Sequence, residues 1–288
     1  MKINEHAPPK NKKELAFQLG ISRQSLYYKP KLRDKDLKLK AEIERIMLEH
    51  KAYGHRRIAI TLNVNKKRVL RVMKLFNLKP KKRRKWTKPG DIKQKATDIP
   101  NLIAGMIVNS KNEAWVSDFT YIPYHGRFVY LATIEDIYTR EAIGWDVSLR
   151  HNAELVMQAL LNALKKNKAG AVAHSDQGSE YKSKAYANLL ESFNIKQSMF
   201  LKGSPWQNGY QESFYSNFKL EFDNPGQYDT LGELVEAIAH QIYYYNNERI
   251  HTALKCPPTI FRKRIEQRIA KVELNTLKSK QIRKGLCV

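Results

Sequence analysis

The spacing of apolar positions changes character twice along this chain. Up to about residue 78 the apolar residues recur at helical intervals. Within 11–29, Leu15, Ala16 and Leu19 share one face of a short helix, and Gly20 is placed to take the left-handed turn at its end. Ile21 plugs the turn, and Ser22 caps a second helix that carries Arg23, Gln24, Ser25, Leu26 and Tyr27. Leu37, Ile43, Ile46 and Met47 stripe a charged helix over 33–50. A further helical pair covers 56–62 and then the run through Val69, Leu70, Val72, Met73 and Phe76. From about 112 the period becomes two. Strands over 115–122, 128–134 and 143–147 make an antiparallel meander with a turn at His125-Gly126. A helix over 153–166, a short buried strand at 171–174, a helix near 182–191 and a strand at 195–197 come next. Lys202 to Gly209 is a loop by composition, followed by a helix bearing Glu212. Leu234, Ile238, Ile242 and Tyr245 stripe a helix over 231–245, and the tail from 261 is basic and helical.

This order predicts an α/β fold: a mixed sheet of three antiparallel strands and then alternating helices and strands, preceded by an all-α region. Five segments are expected. They are 1–50 (helix-turn-helix and linking helix), 51–78 (second helical unit), 79–111 (basic linker), 112–225 (sheet core) and 226–288 (C-terminal helices and tail).

Charge sharpens the division. Of the net +24, residues 1–100 hold 29 Lys/Arg against 9 Asp/Glu, residues 101–260 hold 14 against 17, and residues 261–288 hold 9 against 2. A basic arm and a basic tail flank a nearly neutral core. That segregation suits phosphate binding by the arms and cation binding by the core. A helix-turn-helix puts its second helix in the major groove, which makes Arg23, Gln24 and Ser25 candidates for base contacts. Arg56, Arg57, Lys67, Arg68 and Arg71 decorate the second helical unit, and Lys82, Arg83 and Arg84 lie in the linker. Double-stranded DNA is the expected partner. No apolar run approaches the length of a membrane span, the first residues lack a secretory apolar segment, and the only cysteines are Cys256 and Cys287. A cytoplasmic, nucleoid-associated bacterial protein is expected.

The candidate chemistry lies in three acids. Asp118 closes Trp115-Val116-Ser117-Asp118, Asp176 sits in His174-Ser175-Asp176-Gln177-Gly178-Ser179, and Glu212, separated from Asp176 by 35 intervening residues, sits in Gln211-Glu212-Ser213. Asp118 is expected to end a strand, Asp176 to follow another, and Glu212 to ride a helix beside both. Three hard oxygen ligands suit Mg²⁺, with Mn²⁺ as a substitute. Asn208, four before Glu212, and Lys219, seven after, share its helix face. Glu135, Asp136, Glu180 and Glu221 are competing acids, read as supporting or surface groups. His251 follows the 231–245 helix and is read as a helix-terminal structural residue, with approach to the DNA as the alternative.

Asp118-Phe119-Thr120-Tyr121-Ile122, the His174 to Ser179 word and Glu212-Ser213-Phe214 resemble the OrfB-type insertion-sequence transposases and, through their acid spacing, the retroviral integrases. The resemblance runs from about Tyr53 to Pro258. It implies a ribonuclease-H-like core with Asp118, Asp176 and Glu212 as both catalytic residues and metal ligands, two Mg²⁺ ions per site, and DNA contacts at Asn208 and Lys219. The implied activity is cleavage at element ends and transfer of the freed 3′-hydroxyl. A homo-oligomer on DNA is implied too, and an upstream-frame partner or fusion stays open. The alternatives are a structure-selective nuclease on the same fold and a DNA-binding regulator with an inactive core.

Overall fold

The computed structural model describes residues 11–27, 32–82, 98–200 and 208–285. Its centre is a five-stranded sheet in the order β3-β2-β1-β4-β5. The strands β1 (Ala114–Tyr124), β2 (Arg127–Asp136) and β3 (Ala142–Ser148) form an antiparallel meander. The first hairpin turns at His125 and Gly126, both with positive φ (42° and 73°), as the sequence predicts. The strands β4 (Val172–Ser175) and β5 (Lys196–Met199) add parallel to β1, so the sheet is mixed and has the ribonuclease-H-like order.

Alternation along each strand sends side chains to two faces. Trp115, Ala132 and Ile134 pack with Leu155, Val156, Ala159, Leu160 and Ala163 of α5 (Ala153–Leu164), and with Tyr186 and Leu190 of α6 (Lys184–Ser192). The opposite face carries Ile122, Tyr124, Val129 and Leu131. It packs against Phe214 and Phe218 of α7 (Gly209–Glu221) and Leu234, Ile238, Ile242 and Tyr245 of α8 (Leu231–Asn247). Helix α8 begins in a full capping box between Thr230 and Glu233. The C-terminal helix α9 spans Pro258–Gly285.

The N-terminal region is helical. Helix α1 (Lys12–Gln18) is capped by Asn11, and Gly20 takes φ +63° at its end. The second helix expected of the helix-turn-helix is instead a five-residue 3₁₀ turn, Arg23–Tyr27. Ser22 accepts from the Ser25 amide at 3.2 Å and its hydroxyl meets that of Ser25 at 2.8 Å, a local alternative to α-helical bonding. Ile21 does not plug the turn; it is 43% exposed.

Helices α2 (Leu32–Glu49), α3 (His55–Thr61) and α4 (Lys66–Leu75) bury a common core of Leu39, Ile43, Ile46, Ile58, Val69, Val72 and Met73. The α2 stripe is therefore Leu39-Ile43-Ile46, and Leu37 faces solvent. The register shift brings Asp36 inward, where Arg71 forks onto it at 2.6 and 2.8 Å. This unit docks on the core through α8. His50 Nδ1 meets the Tyr244 hydroxyl at 2.8 Å, and the Ile250 amide donates to the Tyr53 hydroxyl at 2.6 Å.

Candidate functional site

Strand β1 continues well past Asp118, because its pairing with β2 runs unbroken to Tyr124↔Arg127. Asp118 is thus a mid-strand residue rather than the strand's last. What ends near it is the other neighbour. The parallel pairing of β1 with β4 stops at Val116↔His174. Asp118 and Asp176 each lie two residues beyond that last pair, at matching register. Their juxtaposition follows from strand alignment alone.

The β1 face that carries Asp118 is the face covered by α7, whose first turn holds Glu212. Helix α7 is fixed to the sheet by polar side chains. Gln211 donates to the Val116 carbonyl at 2.7 Å and accepts from the Thr133 hydroxyl at 3.0 Å. One turn on, the Tyr215 hydroxyl accepts from Thr133 at 2.8 Å and donates to the Asp118 carbonyl at 2.6 Å. These three residues were not anticipated from the sequence. The available signal was polar residues at i and i+4 of a helix whose other inward positions are Phe214 and Phe218.

Electrostatics marks the same place. Burial and then the charge of Asp176 push the Asp118 carboxyl up to about 8. A hydrogen bond from the Phe119 amide, at 2.8 Å, opposes the rise, and Glu212 adds to it. Burial also raises Asp176, whose Oδ1 accepts from the Gly178 amide at 2.9 Å, and it raises Glu212. A Cβ at Gly178 would stand 2.9 Å from Glu180 Oε2 and 3.0 Å from Asp176 Oδ1, so a side chain there would displace those two carboxylates. Lys219 is the cation that opposes the rise at Asp118. It stays exposed with its ammonium 4.6 Å from the Tyr121 ring centre. Asn208 is buried, with Nδ2 3.5 Å from Asp118 Oδ2 and its Oδ1 unpartnered.

A site whose buried acids raise one another, with only Lys219 beside Asp118 and Lys182 beside Asp176 to offset them, calls for positive charge. Its oxygen-only donors fit a hard divalent cation. The side chains do not form a closed cage: among the described residues no three His, Cys, Asp or Glu stand close enough to hold a metal ion.

The competing acids take other roles. Asp136 does not follow β2 but ends it, buried, accepting from the amides of Asn112 and Thr139 and the Thr139 hydroxyl. Glu180 is buried; His151 Nδ1 lies 2.9 Å from it. Glu221 accepts from Arg249 Nε at 2.6 and 2.9 Å. His174 is fully buried against Ser198, at 2.8 Å, and burial depresses its imidazole to about 4.

The candidate DNA contacts divide. Arg23, Gln24, Ser25, Arg56, Lys67, Arg68 and Lys82 are exposed. Arg57 turns inward over the Tyr53 ring, 5.5 Å from its centre, and Arg71 is held by Asp36. Arg57 is thus drawn into the packing, whereas Arg71 stays exposed, its side chain 47% accessible, while it pairs with Asp36. Arg83 and Arg84 lie outside the described residues.

A mixed sheet with two acids in register on adjacent parallel strands, and a third on the helix covering them, defines an integrase-type core. Comparison with known families agrees. Two models described as integrase core domain match residues 108–205 and 193–258. The transposase for insertion sequence element IS904 of Lactococcus lactis is 35% identical over 226 residues, covering 75% of this chain and 89% of that protein. The putative transposase InsK for insertion sequence element IS150 of Escherichia coli is 33% identical over 255 residues, covering 84% and 89%. Among solved structures, the HTLV-2 integrase catalytic core domain in complex with magnesium aligns with 52% of this chain and 96% of that one, at 16% identity and a TM-score of 0.43. The chain belongs to the insertion-sequence transposases with an integrase-type core.

Proposed function

We propose that this transposase cuts DNA at the ends of its element and joins the freed 3′-hydroxyl to a second phosphodiester, with Asp118, Asp176 and Glu212 as its catalytic acids. The observation that carries the reading is the matched register of Asp118 and Asp176 under the helix that bears Glu212. These carboxylates would hold divalent cations, Mg²⁺ by preference. Such ions, when bound, activate the attacking oxygen and offset charge on the leaving one. The protein's own part is positioning. Gln211 and Tyr215 fix the Glu212 helix against the sheet, Asn208 abuts Asp118, and Lys219 meets a phosphate near the scissile bond. Arg23, Gln24 and Ser25, together with Arg56, Lys67, Arg68 and Lys82, contact DNA from the basic arm. The protein works in the bacterial cytoplasm as a homo-oligomer that brings two element ends together. Among the described residues no helix is long and apolar enough to cross a membrane.

The test compares wild type with Asp118→Asn, Asp176→Asn and Glu212→Gln on end-labelled element DNA with Mg²⁺. Nicked and then joined products, lost in all three variants while DNA binding persists, are expected. Mg²⁺-dependent cleavage retained by the variants refutes the assignment, and nicking without joining points to a nuclease.

A further inference from the structure

A second group of buried ionisable residues lies beside the acids and takes no part in the scheme above. Glu135, on β2, sits opposite Val116 of β1 and so faces α7. It is 2% exposed, and its Oε2 has no hydrogen-bond partner. It opens into a cavity of about 440 Å³ lined also by Arg140, Tyr210, Ser213, Tyr245 and His251. The Arg140 guanidinium lies 3.9 Å from the centre of the Tyr210 ring and, among the described residues, makes no ion pair. His251 Nδ1 is buried without a partner. These groups come from β2, the turn after it, α7 and the segment after α8, so the fold alone assembles them.

We propose that this cavity is an anion site that seats one phosphate group of the DNA backbone. The inference rests on the reading of the chain as a DNA transposase and deepens it. Arg140 supplies the charge, Ser213 a hydroxyl and His251 a ring N–H. Glu135 supplies a proton: burial lifts its carboxyl to about 8, although Arg140 opposes the rise, so it stands as a neutral donor at pH 7. The groups facing Glu135 are Arg140 and Asp136 from its own strand and turn, Tyr215 from α7, Tyr245 from α8, and His251. Asp136 is the other acid among them, and its oxygens are engaged by the Asn112 and Thr139 amides and the Thr139 hydroxyl; no ion pair ties it to Arg140. The start of α7, at Gly209 and Tyr210, also lines the space, and helix N-termini favour anions. Ser213 adjoins Glu212 on that first turn. A backbone phosphate bound here would settle the turn that presents Glu212, tying the third acid to the presence of DNA.

The experiment measures binding of the full chain to an element-end duplex by fluorescence anisotropy across salt. A set of duplexes carries single neutral methylphosphonates at successive positions. Wild type is expected to lose about tenfold in affinity at one position, the size of a charge-assisted bond. Arg140→Asn, which suits the left-handed backbone at that residue (φ 62°), is expected to lose about tenfold on unmodified DNA and nothing more on that methylphosphonate duplex. Its salt slope should flatten by about 0.9. Glu135→Gln keeps a donor and should hold its affinity above pH 8, where wild type weakens. Unchanged affinity and slope in Arg140→Asn, with its melting temperature intact, overturns the proposal. Losses that simply add between variant and methylphosphonate overturn it as well. If inorganic phosphate raises the melting temperature of wild type but not of Arg140→Asn, and DNA binding is the same in both, the site takes free phosphate and the DNA source is wrong. Wild type that binds as described but never cuts would defeat the proposed activity and leave the anion site standing.

Discussion

Replacing Arg249 by methionine tests how the site's helix is held. Arg249 is 1% exposed, and its Nε donates to both oxygens of Glu221, the last residue of α7. Its Nη1 and Nη2 have no partners. Methionine has similar reach and no charge, so the variant strands the Glu221 carboxylate, itself only 5% exposed. Breaking a buried pair in this way costs about 3–5 kcal/mol. Against that, removing two unpartnered donors returns roughly 1 kcal/mol or more. A net loss of about 2–4 kcal/mol follows, which in a chain of this size lowers Tm by about 2–4 °C for each kcal/mol. Thermal melts followed by tryptophan fluorescence read it directly. Arg249→Met/Glu221→Met should recover most of the loss, since neither charge remains. A single variant that melts with wild type, or a double variant no more stable than the single, would refute the reasoning.

Three other outcomes follow from the same structure. Removing residues 1–95 should weaken DNA binding and flatten its salt dependence, by about 0.9 in slope for each phosphate the arm no longer neutralises; an unchanged slope denies the arm its role. Gly144→Ala should lower Tm sharply, by the equivalent of about 3 kcal/mol, because its Cβ would stand 2.6 Å from Ala163 Cβ and 2.7 Å from the Ala163 amide of α5. Ordinary stability in that variant would mean the β3–α5 packing is wrong. The contribution of His251 to stability should also fall as pH drops from 6.5 towards 4, against the opposite contribution of the raised carboxyls of Asp118 and Glu135. Burial, and then Arg140, Arg249 and Arg57, depress His251 to about 4, so the unfolded chain binds a proton there that the folded one refuses. At most about 3 kcal/mol is involved. Measured against wild type, His251→Asn should lose less stability over that range, and an identical pH dependence in the two proteins would show that His251 contributes nothing.

The meander, its turn at His125-Gly126, the helices and the short strand before Asp176 were legible in the sequence because each is a local pattern of period two or 3.6. The meeting of Asp118 with Asp176 was legible from its residues, but its geometry was not. Periodicity shows where β1 pairs with β2 and says nothing of where its parallel neighbour stops. The 3₁₀ turn at Arg23–Tyr27 escaped notice because serine hydroxyls compete with helical bonding in a stretch whose apolar spacing fits either form. On α2, Leu37 and Leu39 are both apolar, and only the partner helix decides which one is buried. Arg57 reads as a surface cation because charge is the visible property, whereas the Tyr53 ring beneath it, like the Asp36 partner of the exposed Arg71, is found only in three dimensions. Glu135, Arg140 and His251 come from separate segments and share no spacing at all.

Gathering acids as this site does is unfavourable, and the carboxyl of Asp118, raised first by burial and then by the charges of Asp176 and Glu212, expresses it in part. The strands cannot relax the pair, because Asp118 and Asp176 are set by the register of β1 on β4. The third acid could retreat, since a helix can slide or tilt away from like charge. Helix α7 is prevented from doing so at three heights: Gln211 on the Val116 carbonyl, Tyr215 between Thr133 and the Asp118 carbonyl, and Glu221 on Arg249. None of these contacts uses the Glu212 side chain. The scaffold therefore bears the repulsion through neutral hydrogen bonds and one distant ion pair. Under the proposed function, this leaves the Glu212 carboxylate available to a ligand shared with the other two acids. That division of labour explains why buried polar residues crowd a helix face that would otherwise be apolar, and it predicts that Gln211→Leu, though well packed, would impair the chemistry more than the fold.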